Sequence, residues 1–204
     1  MAHLLVRVLI SVVARNRLES FIRARSEWCI SRQRVWGVPI PALHEINSDN
    51  VVLNGQTLEY IIDALEHKDL DWWESPVEEF IPPSLLKPGQ KASDIWAKGT
   101  DTMDVWFDSG SSWSMLSEMG VGHKEAEGRR FDADLCLEGS DQHRGWFQSQ
   151  LLTAVASRGA EEGSPYGGLI THGMVLDEKG KKMSKSLGNI VSPMTIVKGS
   201  KDVR

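Results

Sequence analysis

The sequence predicts an α/β fold, and three observations carry that expectation. "FDADLCLEG" at 131–139 alternates, with Leu135 and Leu137 on one face and Cys136 and Glu138 on the other, the period of a strand. "GWFQSQLLTAVASRG" at 145–159 sets Phe147, Leu151, Ala154, Val155 and Arg158 at helical spacing, with Gly159 just past the last turn. "GGLITHGMVLD" at 167–177 reads as a second strand. Strand, loop, helix, strand is a β-α-β unit, and ligands of such sheets sit at the carboxyl ends of the strands, here residues 138–146.

Read from its start, "MAHLLVRVLISVVARNR" is apolar but interrupted by Arg7, and its unbroken stretch LISVVA falls far short of the ~20 residues of a membrane span. With several Arg and no acid before Glu19, the opening has the character of an organellar transit segment or of a Val/Ile/Leu-rich strand. "NRLESFIRARSEW" places Leu18, Phe21 and Ile22 for a short amphipathic helix. Pro39 and Pro41 in "WCISRQRVWGVPIPAL" demand extended or turn backbone. Residues 51–74 read as a short strand, VVLNG, then a helix over "TLEYIIDALEHKDLDWW". "SPVEEFIPPSLLKPGQK" holds four of the eight prolines and reads as an irregular connection, and "KGTDTMDVWFDSGSSW" as an acidic, turn-rich stretch. After the second strand of the β-α-β unit, "DEKG" is a turn and "KKMSKSLGN" a basic loop before a new element.

Composition narrows the function classes. With 204 residues, 41% hydrophobic and 25% charged, the chain has room for one good-sized core or two small ones. Eight tryptophans against two tyrosines favour large rigid apolar walls in cores or ligand pockets. The net charge of −5 argues against a generic nucleic-acid coat. That charge is uneven: residues 41–141 carry 21 acids against seven bases, whereas residues 142–204 carry nine bases against five acids. A basic last quarter in an acidic chain points to a local site for anionic ligands. Cys29 and Cys136 stand far apart without C-x-x-C spacing, so neither a disulfide framework nor a zinc site is expected, and a reduced intracellular setting fits.

Two loops carry candidate chemistry. In the first, Glu138 at a strand end can accept from an ammonium or from ribose hydroxyls, and Gly139 lets backbone approach a ligand closely. Asp141 and Gln142 add an acceptor and a mixed donor–acceptor, and Trp146 offers a flat wall, a set suited to a small ligand with polar and apolar ends. An Asp N-cap ahead of a core Trp is the plainer reading of any one of them. In the second, Lys181, Lys182 and Lys185 stand with Ser184 and Ser186, between Gly180 and Gly188 as candidate hinges. Lysine is a point charge on a flexible stem, suited to a phosphate chain that moves during reaction. By charge alone the loop would equally be a solvated basic turn.

The motifs resemble a known family. "KMSKS" at 182–186 matches the signature loop of class I aminoacyl-tRNA synthetases letter for letter. "WCISRQRVWGVPIP" at 28–41, "DVWFDSGSSW" at 104–113 and "LEGSDQHRGWFQS" at 137–149 resemble the isoleucyl-tRNA synthetases, in the same order. The resemblance implies half of a Rossmann-like nucleotide-binding class I synthetase catalytic domain, with an irregular α+β inserted segment. It implies activation of L-isoleucine by ATP with Mg²⁺ to isoleucyl-adenylate, and transfer to tRNA(Ile). On it, Glu138, Gly139, Asp141 and Gln142 would hold the adenylate through its ribose and the amino-acid ammonium, the division between Glu138 and Gln142 staying open. Trp106 and Trp146 would wall the isoleucine side chain. Backbone at His172, Gly173 and Met174 would meet the adenine. Lys182, Met183, Ser184, Lys185 and Ser186 would bind ATP, with Lys182 and Lys185 serving the triphosphate and Lys185 foremost. A pocket that must tell isoleucine from valine by one methylene discriminates by only ~1–3 kcal/mol, and family members carry a separate editing domain.

The same resemblance divides the chain. Residues 1–25 would be a stub of the editing-domain insertion or a spurious start, 26–50 would re-enter the catalytic core, 51–103 would be an inserted connective segment, and 104–204 the second half of the Rossmann-like domain. The family's His-Ile-Gly-His motif has no counterpart here, so the remainder of a synthetase is expected outside this chain and the isolated chain is expected to be inactive. The implied compartment is the cytoplasm, or alternatively a mitochondrial or chloroplast matrix, with no membrane partner. Two other readings compete: an inactive fragment that only binds adenylate or tRNA, and a hydrolase built on Asp101, Asp104, Asp108 and Asp141. The hydrolase reading leaves KMSKS unexplained.

Overall fold

The computed structural model describes residues 12–121, 124–126 and 129–199. The reading of the first 11 residues as a strand or transit segment lies outside them. In chain order the elements are α1 (Val12–Arg23), β1 (Ser31–Arg32), β2 (Leu43–Glu45), β3 (Val51–Val52) and α2 (Gly55–His67). Then come β4 (Trp96–Lys98), β5 (Thr102–Met103), α3 (Val105–Gly110) and α4 (Trp113–Glu118). β6 (Lys124–Ala126), β7 (Arg129–Gly139), α5 (Trp146–Arg158), β8 (Ser164–His172) and α6 (Pro193–Lys198) follow. They form two compact units, one of residues 1–26 with 110–204 and one of residues 27–109. The segments expected separately at 26–50 and 51–103 thus share a unit, and α1 groups with the β-α-β half.

In the first unit β7 and β8 pair in parallel from Phe131↔Ser164 to Gly139↔His172, and β6 joins the other edge of β7 antiparallel. Parallel neighbours need a crossover, and α5 supplies it. It spans the expected residues, and Gly159 ends it at φ 83°, a conformation that favours glycine. Phe147 and Leu151 of α5 pack with Cys136, Tyr166, Leu169 and Leu18 of α1 into one core. The face of β7 that meets this core carries Cys136, while Leu135 and Leu137 stay 47% and 57% exposed. Val12–Ala14, the end of the apolar opening, are already helical, so the strand reading does not hold there. β8 starts three residues earlier than expected and stops at His172, five short of the expected end.

One buried ion pair ties helix to sheet in this unit. Arg158, in the last turn of α5, reaches Asp132 of β7 with both terminal nitrogens, at 3.2 and 2.6 Å. Its guanidinium also lies 4.5 Å from the centroid of the Trp113 ring. Bidentate geometry and a stacked ring suit Arg and not Lys.

The second unit is antiparallel. β3, β2 and β4 form one sheet in that order, and β1 pairs with β5. Asn54 starts α2 with a capping box: its side chain accepts from Thr57 N at 3.0 Å, and Thr57 Oγ1 accepts from Asn54 N at 3.1 Å. Ile61 and Ala64 of α2 pack with Leu43, Trp72, Phe80, Ile81, Ala92 and Trp96. The helix stops at His67 and not Trp73, because Asp69 turns the chain at φ 53° and Trp72 dives into the core, its indole donating to Gly99 O at 3.1 Å. Lys98 donates to the carbonyls of Trp72 and Ser75 beneath the Trp72 and Phe80 rings. The proline-rich stretch is irregular as expected, with isolated 3-10 turns at 77–80 and 83–85. The acidic stretch after it is more ordered than expected. Asp104, 5% exposed, accepts from Trp106 N, Trp28 Nε1 and Arg32, which starts α3 where turn residues predicted none.

Two stability outcomes follow from these contacts. Arg158→Leu strands the Asp132 carboxylate in the core and should cost roughly 3–5 kcal/mol, read as a lower urea midpoint. Asn54→Ala removes one cap and should cost about 1 kcal/mol in the same titration.

Candidate active site at the strand ends

Because β7 and β8 run parallel in the register Glu138↔Thr171 and Gly139↔His172, they end side by side. The loops that follow them therefore leave the sheet at one edge. Glu138, one residue before the end of β7, is exposed. Gly139 is buried, and a Cβ on it would lie 2.5 Å from Asp141 Oδ1 and 3.3 Å from Met174 Cε. The side-chain ends of Asp141 and Met174 thus lie close over the strand end. Glu138, Gly139, Asp141, His172 and Met174 are thus brought to one edge of the sheet.

The turn at 140–144 is a 3-10 helix that leads into α5. Gln142 Oε1 accepts from Trp146 N at 2.9 Å, a side-chain cap on α5, and its Nε2 donates to Asp141 Oδ2 at 3.2 Å. One amide therefore starts the helix and steadies the carboxylate. The turn stands on His143, which is fully buried, donates from Nδ1 to Ser140 O at 2.6 Å, and meets Phe147 edge-on. Trp146 is half-buried, packs on the core, and donates from Nε1 to Ser112 Oγ at 3.3 Å, so only part of its ring is open as a wall. Trp106, on α3, belongs to the other unit and is 44% exposed. Burial, helped by Glu138, pushes the Cys136 thiol up to about 11, which keeps it protonated and unfit as a nucleophile.

Past β8 the chain turns back on itself. Leu176 bridges Lys182, and Gly180, at φ 72°, donates to Asp177 O at 2.9 Å, which closes the expected turn. Asp177 Oδ1 accepts from the backbone of Lys179 at 2.9 Å and of Lys181 at 2.8 Å, and its Oδ2 from Asn189 Nδ2 at 2.8 Å. These donors, Asn189 first, hold the Asp177 carboxyl below the usual carboxylate range. Asn189 Oδ1 accepts from Ser184 N at 2.9 Å. Ser184 caps the 3-10 turn Lys185–Leu187, and Gly188 ends that turn at φ 65°. The side chains of Lys181, Lys182, Lys185 and Ser186 are exposed, while Met183 is half-buried and accepts from Val191 N at 3.4 Å. The basic loop is a folded double turn with its cations outward.

The acids of the hydrolase reading have structural partners. Asp101 accepts from Gln33 at 3.1 Å, Asp104 has the three donors named above, and burial, with Asp104 second, raises the Asp108 carboxyl. Sequence reasoning gave no role to Asp177 or Asn189. A signal existed: Asp three residues before a turn glycine, and Asn just after one, are residues whose short side chains bond nearby backbone.

Comparison with known proteins then speaks to the whole chain. The family model for tRNA synthetases class I (I, L, M and V) matches residues 6–202. The isoleucine–tRNA ligase of Prochlorococcus marinus is 52% identical over 186 residues, covering 91% of this chain and 18% of that one. The chloroplastic/mitochondrial isoleucine–tRNA ligase of Arabidopsis thaliana is 51% identical over 188 residues, 92% of this chain and 16% of that one. This chain is thus a small part of the length of the curated relatives it matches. Among solved structures, the LeuRS of Agrobacterium radiobacter, in a ternary complex with tRNA and LeuAMS, shares the fold at a TM-score of 0.53 and 23% identity, covering 93% of this chain and 26% of that one. With the family match running almost from end to end, the chain belongs to the class I tRNA synthetases of the I, L, M and V group.

Proposed function

We propose that this chain is the part of an isoleucine–tRNA ligase that holds isoleucyl-adenylate and serves the triphosphate of ATP. The observation that carries the reading is the joint ending of β7 and β8, which sets Glu138, Gly139 and Asp141 against His172 and Met174. Isoleucine specificity is supported by the relatives of about 50% identity, which are named isoleucine–tRNA ligases.

In the reaction a carboxylate oxygen of isoleucine bonds to the α-phosphorus of ATP, taken as its magnesium complex, and the bond to pyrophosphate breaks. The adenylate then passes its isoleucyl group to the 3′ end of tRNA(Ile) and releases AMP. A ribose diol needs two acceptors, and the carboxylates of Glu138 and Asp141 on either side of Gly139 supply them. Gln142 Oε1 spends one lone pair on Trp146 N and keeps the second for the isoleucine ammonium. The open part of the Trp146 ring walls the side chain. Exposed backbone at His172, Gly173 and Met174 meets the adenine. Lys182 and Lys185 face the negative charge that grows on leaving pyrophosphate, and Met183, Ser184 and Ser186 complete the loop around it. Positioning and charge stabilisation suffice for such a transfer.

The compartment proposed is the cytoplasm or an organelle matrix, the latter supported by the name of the Arabidopsis relative. Among the described residues no helix is long and apolar enough to cross a membrane.

The test is isoleucine-dependent ATP–pyrophosphate exchange in the complete protein that carries this segment; exchange driven equally by other amino acids would refute isoleucine specificity. Lys185→Ala should lower kcat about 100-fold or more, as loss of one oriented donor does, with the isoleucine KM within about twofold. Equal losses in binding and rate would remove its transition-state role. Glu138→Ala should raise the ATP KM about tenfold, the loss of a charged hydrogen bond, and leave the isoleucine KM nearly unchanged.

A further inference from the structure

One side chain of the basic loop, Asn189, touches three of its parts. Asn189 donates from Nδ2 to Asp177 Oδ2 at 2.8 Å and to Lys182 O at 3.3 Å, and accepts at Oδ1 from Ser184 N at 2.9 Å. Those contacts reach the start of the loop, the backbone of Lys182, and the residue that caps the turn bearing Lys185. Asp177, twelve positions earlier, receives Asn189 on one carboxylate oxygen and the backbone of Lys179 and Lys181 on the other. Each lysine that could meet a phosphate is therefore one or two bonds from this pair. Neither residue needs to touch the ligand.

We propose that Asp177 and Asn189 form a clasp that fixes the shape of the 177–189 loop, and that they act as positioning residues for Lys182 and Lys185. The inference rests on the reading of those lysines as triphosphate ligands. Its physical content is preorganisation: a loop already closed by its own side chains presents two ammonium groups at a set spacing, so ATP does not have to order the whole loop as it binds. Opening the clasp leaves both lysines present and charged but no longer held at that spacing.

The chemistry of the pair allows a reversal. Asn189→Asp puts two carboxylates face to face and breaks the clasp without changing its size. Adding Asp177→Asn restores the bond between the two side chains with the donor on the other side. The amide introduced at position 177 can donate to the carboxylate introduced at position 189, and both new side chains still accept from the backbone N–H groups met before; the donation to Lys182 O is not regained, because a carboxylate has no donor. Two readings are taken from the same three proteins. Hydrogen exchange at the Ser184, Lys179 and Lys181 amides, measured on this chain, reports the clasp itself. The kcat and isoleucine KM of ATP–pyrophosphate exchange, measured in the complete protein, report its consequence.

Asn189→Asp should speed exchange at Ser184 and lower kcat, each by roughly tenfold, an effect of the size coupled contact pairs show, with the isoleucine KM unchanged; the double variant should recover most of both. Unaltered exchange and kcat in the single variant would overturn the proposal, and so would a loss that the second substitution leaves whole. If Lys185→Ala leaves kcat untouched, the reading of the lysines fails, while Ser184 exchange still decides whether the clasp exists.

Discussion

Parallel pairing of β7 with β8 is the constraint on which the β-α-β half depends. Parallel strands cannot be joined by a tight turn, so the chain must cross over, and the crossover must be long enough to lie on the sheet. That requirement places α5, and α5 brings Phe147 and Leu151 onto the Cys136 face. The same direction of travel delivers both strand ends to one edge. The place of the proposed site, with carboxylates on one loop and backbone on the next, is then a consequence of topology, and loop residues would supply only its chemistry.

What keeps the helix in register with the sheet is polar as well as apolar. Asp132 and Arg158 are both buried, and a buried pair gains little over an apolar substitute while making any misalignment costly. Its place at the far end of α5 from the Gln142 cap means that the helix is fastened at both termini. Between these fastenings the crossover has little freedom to slide.

Much of this half was legible in the sequence, and the reasons are local. β7 alternates, α5 shows helical spacing with Gly159 at its end, and the polar set of 138–142 falls where β7 gives way to α5. What was not legible depended on distant partners. Helix α3 stands in an acid-rich stretch that reads as turn, because its cap, Asp104, is organised by Trp28 and Arg32, 76 and 72 positions away. α2 ends early because the Trp72 indole finds a carbonyl 27 positions on. Alternation in β7 marked two faces without saying which was covered, and the covered one carries a cysteine between two leucines. Asn189 stands within the basic motif, but its value lies in touching three segments at once, which no local pattern displays.

Gln142 has a consequence that reaches past geometry. Its amide oxygen begins α5 and its amide nitrogen steadies Asp141, so one planar group belongs to the scaffold and to the site together. A molecule that engages Asp141 adds to the forces that keep that plane still, and a fluctuation that frays the first turn of α5 disturbs Asp141 in the same instant. Occupancy at the strand ends and fraying of the helix are then two sides of one linked equilibrium: whatever fills the site slows the opening of the turn behind it.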